Sequence, residues 1–254
     1  KYYLEAQYKF DNLKNIKEID EIRKLLNQSL SKNENIIEVK LLLARTYLHT
    51  SDYKKAIDLL DQIILEGEKI RKFNIVAQAH RILGNHYMFL LDYNKSIFNT
   101  QKAVDISKKI NDTYNTARST CTLAWAYGSG TLKPKNEIIE MFESSLLIFE
   151  EYEDIRSRVM TYLDLSYVCF EESKKSMGYI KLAYELAQES NNKYDLALVT
   201  MLFGHLYYIR GEFNKGDSLV LSGLKMGNEI GEKRWIALGK QLIGESYYFQ
   251  GRYE

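Results

Sequence analysis

The 254 residues carry 45% hydrophobic and 27% charged side chains, ordinary globular proportions that exclude disordered and collagen-like chains. Thirty-five basic residues against thirty-four acidic ones leave a formal charge of +1, too little for a global field that gathers nucleic acid or an anionic membrane. No apolar run approaches the roughly 18 to 20 residues that cross a bilayer, no signal segment opens the chain, and two cysteines, Cys121 and Cys169, do not make a disulfide framework. A cytoplasmic protein without nucleic-acid or membrane partners is the expectation.

One proline and 14 glycines are too few for the closely spaced turns of a sandwich or barrel, so long helices are expected throughout. Residues 1–35 read as a degenerate helix pair that caps the remainder of the chain, with Ile16, Ile19, Ile22, Leu26 and Leu30 forming an apolar stripe on its second helix. From residue 36 onward the chain repeats itself. Tyr47, Tyr87, Tyr127, Tyr167, Tyr207 and Tyr247 stand 40 residues apart. Three positions before them stand Ala44, Gly84, Ala124, Asp164, Gly204 and Gly244, each preceded by Leu43, Leu83, Leu123, Leu163, Phe203 or Ile243. First helices are predicted near 36–50, 73–91, 113–128, 153–171, 193–210 and 233–250, and second helices near 53–70, 93–110, 135–151, 174–190 and 213–230. Residues 36–254 thus form five complete repeats and a sixth that stops after its first helix. The chain begins at Lys1 and ends on a turn, Gly251-Arg252-Tyr253, that announces another helix, so it reads as part of a longer array. Trp235, Leu242, Ile243 and Phe249 are then expected to be partly uncovered.

The break after each tyrosine carries Ser51-Asp52-Tyr53 with Ala56, Leu91-Asp92-Tyr93 with Ser96, or Gly211-Glu212-Phe213 with Gly216. This order of leucine, small residue, tyrosine, acid, aromatic and second small residue resembles the tetratricopeptide family over residues 36–254. The period departs from the family's usual 34 residues and matches HEAT and armadillo units better, but the motif residues decide. The long repeats are similar to those of bacterial signalling and transcription regulators. The resemblance implies an all-α, right-handed superhelical solenoid of antiparallel helix pairs. Its small residues let two helices approach, Ala44 facing Ala56, Gly84 facing Ser96 and Gly204 facing Gly216, with the six tyrosines as core anchors. Asp164 breaks the small-residue row, and a hydrogen bond to Ser176 or to the Tyr167 hydroxyl is expected to compensate it. Repeat three replaces the tight turn by Gly128-Ser129-Gly130-Thr131-Leu132-Lys133-Pro134, about two residues longer, which puts Ile138 opposite Ala124 and should splay that pair.

No catalytic constellation stands out, and an enzyme is not expected. His49, His80, His86 and His205 form no zinc-binding pair, the Gly128/Gly130 pair has neither the third glycine nor the strand of a dinucleotide fold, and no cofactor is implied. The resemblance implies a concave groove lined by first helices, bearing Arg45, Arg81, Asn85, Arg118, Trp125 and Arg158 early and His205, Tyr208 and Tyr248 late. Arginines in such places either snorkel towards neighbouring acids or present forked donors to carboxylates, and the aromatics either pack or anchor a ligand. Arg81, Asn85 and Arg158 fall on positions of the family's carboxylate clamp, whereas Thr122 and Tyr162 do not match it. The function expected is a scaffold that binds a protein or peptide in the groove, its partner bearing an acidic segment or terminal carboxylate. A sensory domain of a larger regulator, binding a small molecule or oligosaccharide in the superhelix, is the alternative.

Overall fold

The computed structural model describes residues 1–11, 13, 16–33 and 36–252. The boundary drawn at residue 35 and Tyr253 of the last turn lie outside the described residues. Among these residues are thirteen α-helices, one short 3-10 turn (Ile16–Glu18) and no strand. The helices are α1 (Tyr2–Asp11), α2 (Ile19–Ser31), α3 (Ile36–His49), α4 (Tyr53–Lys69), α5 (Phe73–Phe89), α6 (Tyr93–Lys109) and α7 (Thr113–Ser129). They continue with α8 (Lys135–Glu151), α9 (Ile155–Val168), α10 (Ser173–Glu189), α11 (Lys193–Ile209), α12 (Phe213–Ile230) and α13 (Lys233–Phe249). No helix is long and apolar enough to cross a membrane among the described residues. The chain divides into two compact units, the first holding α1 to α8 and the second α9 to α13.

Within each unit consecutive helices pack as antiparallel pairs, and the pairing rests on backbone approach. In unit 2 a Cβ added to Gly204 of α11 would stand 2.7 Å from the Gly216 carbonyl oxygen of α12. In unit 1 the carbonyl of Ser96 on α6 lies 3.0 Å from the same point on Gly84 of α5. Larger side chains fill the space beside these contacts. Leu60, Ile63 and Ala79 are fully buried in unit 1, as are Ile180, Ala183 and Val199 in unit 2. Ile138 of α8 is buried and sits over Gly128 of α7, where a Cβ would lie 3.6 Å from its Cδ1. The last small residue, Gly244, meets nothing within 4 Å of its Cβ position. Leu242 is nevertheless covered, by Met201, Tyr208 and Val220, contrary to expectation, while Phe249 is 61% exposed.

A left-handed residue closes most helices. It recurs at Ser51, Arg71, Leu91, Asn111, Thr131, Asn191, Gly211, Gly231 and Gly251, all with φ between 51° and 77°. After it the acidic residue returns its N–H to the tyrosine carbonyl, Asp52 to Tyr47 at 2.9 Å, Asp92 to Tyr87 at 3.0 Å and Glu212 to Tyr207 at 2.9 Å. This is the six-to-one bond of a Schellman motif, and it satisfies carbonyls that the helix end would leave bare. The same acids start the next helix: Asp92 accepts from the Lys95 N–H at 3.1 Å. They also hold a lysine three residues on, whose ammonium lies over the tyrosine ring, Lys55 over Tyr47, Lys95 over Tyr87 and Lys215 over Tyr207. These tyrosines are half-buried under a cationic lid, Tyr87 and Tyr207 packing against the cores of their units. A ring at the last turn of a helix lies near the solvent edge of the pair, so it flanks the core rather than filling it.

Repeat three and repeat four depart together. After the turn at Thr131 two extra residues precede α8, so α8, Glu153 with its φ of 52° and the N-cap Asp154 all come two residues late. The surplus is removed at the next turn. α9 ends at Val168, no left-handed residue follows, and the Glu172 N–H bonds the Cys169 carbonyl at 2.8 Å instead of a tyrosine carbonyl. As a result α9 is displaced by two residues relative to α10. Ser176 donates to the carbonyl of Ser166 at 2.8 Å, and Ser166 is the buried small residue. The expected bond between Ser176 and Asp164 is absent. Cys169, fully buried, takes the tyrosine's place, and Tyr167 and Asp164, both half-buried, leave the positions the period gives them. Asp164 is half-buried, has no hydrogen bond or ion pair among the described residues, and burial raises its carboxyl to about 8.

Three measurements test these assignments. Gly204→Ala should cost about 1 to 3 kcal/mol in denaturant unfolding, because the methyl meets backbone that cannot move aside; an unchanged midpoint would contradict the close approach. Leu91, at φ 59° and 71% exposed, sits where glycine is better suited. Leu91→Gly should gain about 0.5 to 1 kcal/mol, the left-handed penalty less the entropy of a freer unfolded chain, and a loss would refute the strain argument. For Asp164, an unfolded carboxyl ionises near 3.9 while the folded one holds its proton to about 8. Folding takes up a proton across that window, so the contribution to stability falls as pH rises from about 4 to about 8. Asp164→Asn should raise Tm more at pH 8.5 than at pH 5, and an equal effect at both would contradict a desolvated carboxyl.

Candidate functional site

The first helices carry the candidate residues, and the two units present different chemistry. In unit 1, Arg45 on α3 and Arg118 on α7 both act electrostatically on Arg81 of α5. Arg45 lies 4.5 Å over the Phe10 ring and 4.0 Å from the Asp11 carboxylate, the limit of an ion pair. Arg118 stands 5.7 Å over the Tyr114 ring. Arg81 is held differently. Its Nε is shut off from solvent with no hydrogen-bond partner among the described residues, although the side chain as a whole keeps partial exposure. Desolvation first, and then Arg118 and Arg45, push its guanidinium well below the usual arginine range, and no carboxylate acts on it in return. Arginine stays protonated in proteins, so this is a free-energy cost that an arriving anion relieves. Asn85, one turn beyond Arg81 on α5, is exposed, and Trp125 on α7 is half-buried.

Sequence reasoning left one residue out of this face. Cys121 stands one repeat after Arg81 in register, is half-buried, and its thiol acts on Arg81. Thr122, which does not match the clamp, spends its hydroxyl on the Arg118 carbonyl at 3.3 Å. The 40-residue register could have found Cys121.

In unit 2 the two-residue slip rewrites the assignments. Arg158 does not share the register of Arg118, because α9 starts late; it lies near the start of α9. Tyr208 is 3% exposed, against Gly216, and its hydroxyl donates to Asp217 Oδ1 at 2.8 Å, which also accepts from Ser246 at 2.9 Å. It belongs to the packing between α11, α12 and α13, a correction to its expected place in the groove. Tyr248 is 66% exposed beside Phe249, with ring centroids 5.8 Å apart. His205 lies in a row that the sequence does not reveal. The Tyr167 hydroxyl is 3.2 Å from its Nδ1, and its Nε2 is 3.4 Å from Glu245 Oε2. Glu245 Oε1 accepts from Gln241 at 2.8 Å. Burial lowers the His205 pKa and the Glu245 charge partly restores it, so a neutral ring donating through Nε2 and accepting from Tyr167 fits both contacts. No group of three or more metal-ligating side chains occurs among the described residues.

No protein-family profile and no curated protein sequence matches this chain. Solved structures do. A Rap protein complexed with Competence and Sporulation Factor superposes with a TM-score of 0.73 at 15% identity over 99% of this chain and 75% of that one. The apo form of RapI gives 0.67 at 16% identity, covering 99% and 97%. A STAND signal-transduction ATPase with a tetratricopeptide repeat sensor from Pyrococcus horikoshii gives 0.65 at 17% identity, covering 98% and 40%. Identities this low speak for the fold alone. The helix pairs, the small-residue contacts and these likenesses together establish a tetratricopeptide-type helical-repeat fold.

Proposed function

We propose that this chain binds a protein or peptide along its first helices, and that the arginine row of unit 1 receives an acidic segment or a terminal carboxylate of the partner. One observation carries the reading. Arg81 is desolvated among like charges with an unpaired Nε, so the free face is electrostatically incomplete. Planar forked donors match a carboxylate, and such charge-assisted bonds are the strong ones. The likeness to a Rap protein complexed with Competence and Sporulation Factor supports a ligand-binding repeat array, and the likeness to a repeat sensor supports the second reading, a sensory domain in a larger regulator.

The row also separates scaffold from recognition. Where helices touch, the repeats use small residues; one position later they place Arg45, Asn85 and Trp125, chemically unlike one another.

The test uses a fluorescent hexaglutamate peptide with a free terminus and its amidated form. Arg81→Ala should weaken binding about tenfold to a hundredfold and flatten its salt dependence, with Arg45→Ala and Arg118→Ala acting in the same direction. Tm of Arg81→Ala should stay level or rise, because a repulsive charge is removed. Lys102→Ala, on the second helix α6, should change nothing. Equal affinity for wild type and Arg81→Ala would overturn the reading.

A further inference from the structure

The first-helix face of unit 2 carries the opposite signature. At the place two residues before the buried small residue, four other repeats carry Leu42, Ile82, Thr122 and Leu202. In α9 the slip puts Asp164 there. An aliphatic side chain at that place is the cheaper solution, because a half-buried carboxyl without a donor costs free energy whichever protonation state it adopts. A local rule broken without compensation inside the chain points to a requirement outside it.

We propose that Asp164 is a binding subsite for a cationic side chain, an arginine or lysine of the partner. Its surroundings leave that role open. Asp164 has no hydrogen bond or ion pair among the described residues, and no neighbouring charge shifts it. The polar groups near it in register are already committed: the Tyr167 hydroxyl, one turn along α9, to His205, and His205 to Glu245. The basic group in that row is His205, whose pKa burial lowers. A metal ion fits poorly, because one carboxyl is too few ligands and no cluster of three stands among the described residues. A guanidinium or ammonium needs only one carboxylate. This site goes beyond the arginine row: it lies in the other unit and takes the opposite charge.

The experiment pairs two fluorescent probes, acetyl-(Ala-Arg)3-amide and acetyl-(Ala-Glu)3-amide, with wild type, Asp164→Asn, Asp164→Leu and Arg81→Ala. Asp164→Asn should weaken the basic probe by at least about tenfold and leave the acidic probe unchanged. Asp164→Leu should lose the basic probe in the same way while raising Tm, the outcome expected of a residue kept for binding at the expense of stability. Failure of the wild type to bind the basic probe, or equal binding by Asp164→Asn, overturns the proposal. So does a fall in Tm for Asp164→Leu together with Asp164→Asn, which would make Asp164 a structural residue. Failure of the wild type to bind the acidic probe while it binds the basic one would count against the arginine row and leave this site standing.

Discussion

Two helix backbones can approach closely only where neither carries a side chain of any size, and that contact fixes everything else in these units. Once Gly204 meets the Gly216 carbonyl, the crossing point of α11 and α12 is set, and with it the residues that face inward and those left on the free face. The turn enforces the same register from the other end. A left-handed residue followed by an N–H returned to the tyrosine carbonyl ends one helix and positions the acid that starts the next. Non-glycine residues hold most of these turns, at a cost, because the packed pair compensates for local strain.

Repeat four shows how strongly the contact governs. Two residues inserted before α8 are taken out again before α10, and α9 between them runs two places out of step. Its small residue becomes Ser166, and a tyrosine and an aspartate that the period assigns to the helix contact are moved out of it, both remaining half-buried. The proposed subsite at Asp164 is a consequence of that slip.

The periodicity of Leu43, Ala44 and Tyr47 and their later copies makes the helix pairs and most of their ends legible, because steric contact and helix closure depend on residue type at fixed spacing. The arginine row is legible for the same reason. Tyr208 is not, since nothing local tells whether an aromatic near a helix end packs on the next helix or opens to solvent; here Gly216 makes room for it. The surroundings of Asp164 escape the sequence because its register and the structural register part company in α9. The longer loop at residues 128–134 contains the warning, as its two added residues must be absorbed somewhere, but where they are absorbed depends on packing at Cys169 and Ser166 that spacing alone does not reveal. Solvent access to Arg81, and the absence of an acid to meet it, likewise emerge only once the side chains are in place.

The central claim is that the first-helix face of unit 1 is a binding face whose charge is completed by a ligand. Cys121 reports on it directly, being half-buried within the field of Arg81, while Cys169 is fully buried and serves as the internal control. The rate of Cys121 alkylation by iodoacetamide should be measured against rising concentrations of hexaglutamate peptide in the native protein. The account predicts saturable protection of Cys121, absent in Arg81→Ala, with Cys169 unmodified throughout. A Cys121 rate that stays constant at peptide concentrations where binding is complete would contradict it.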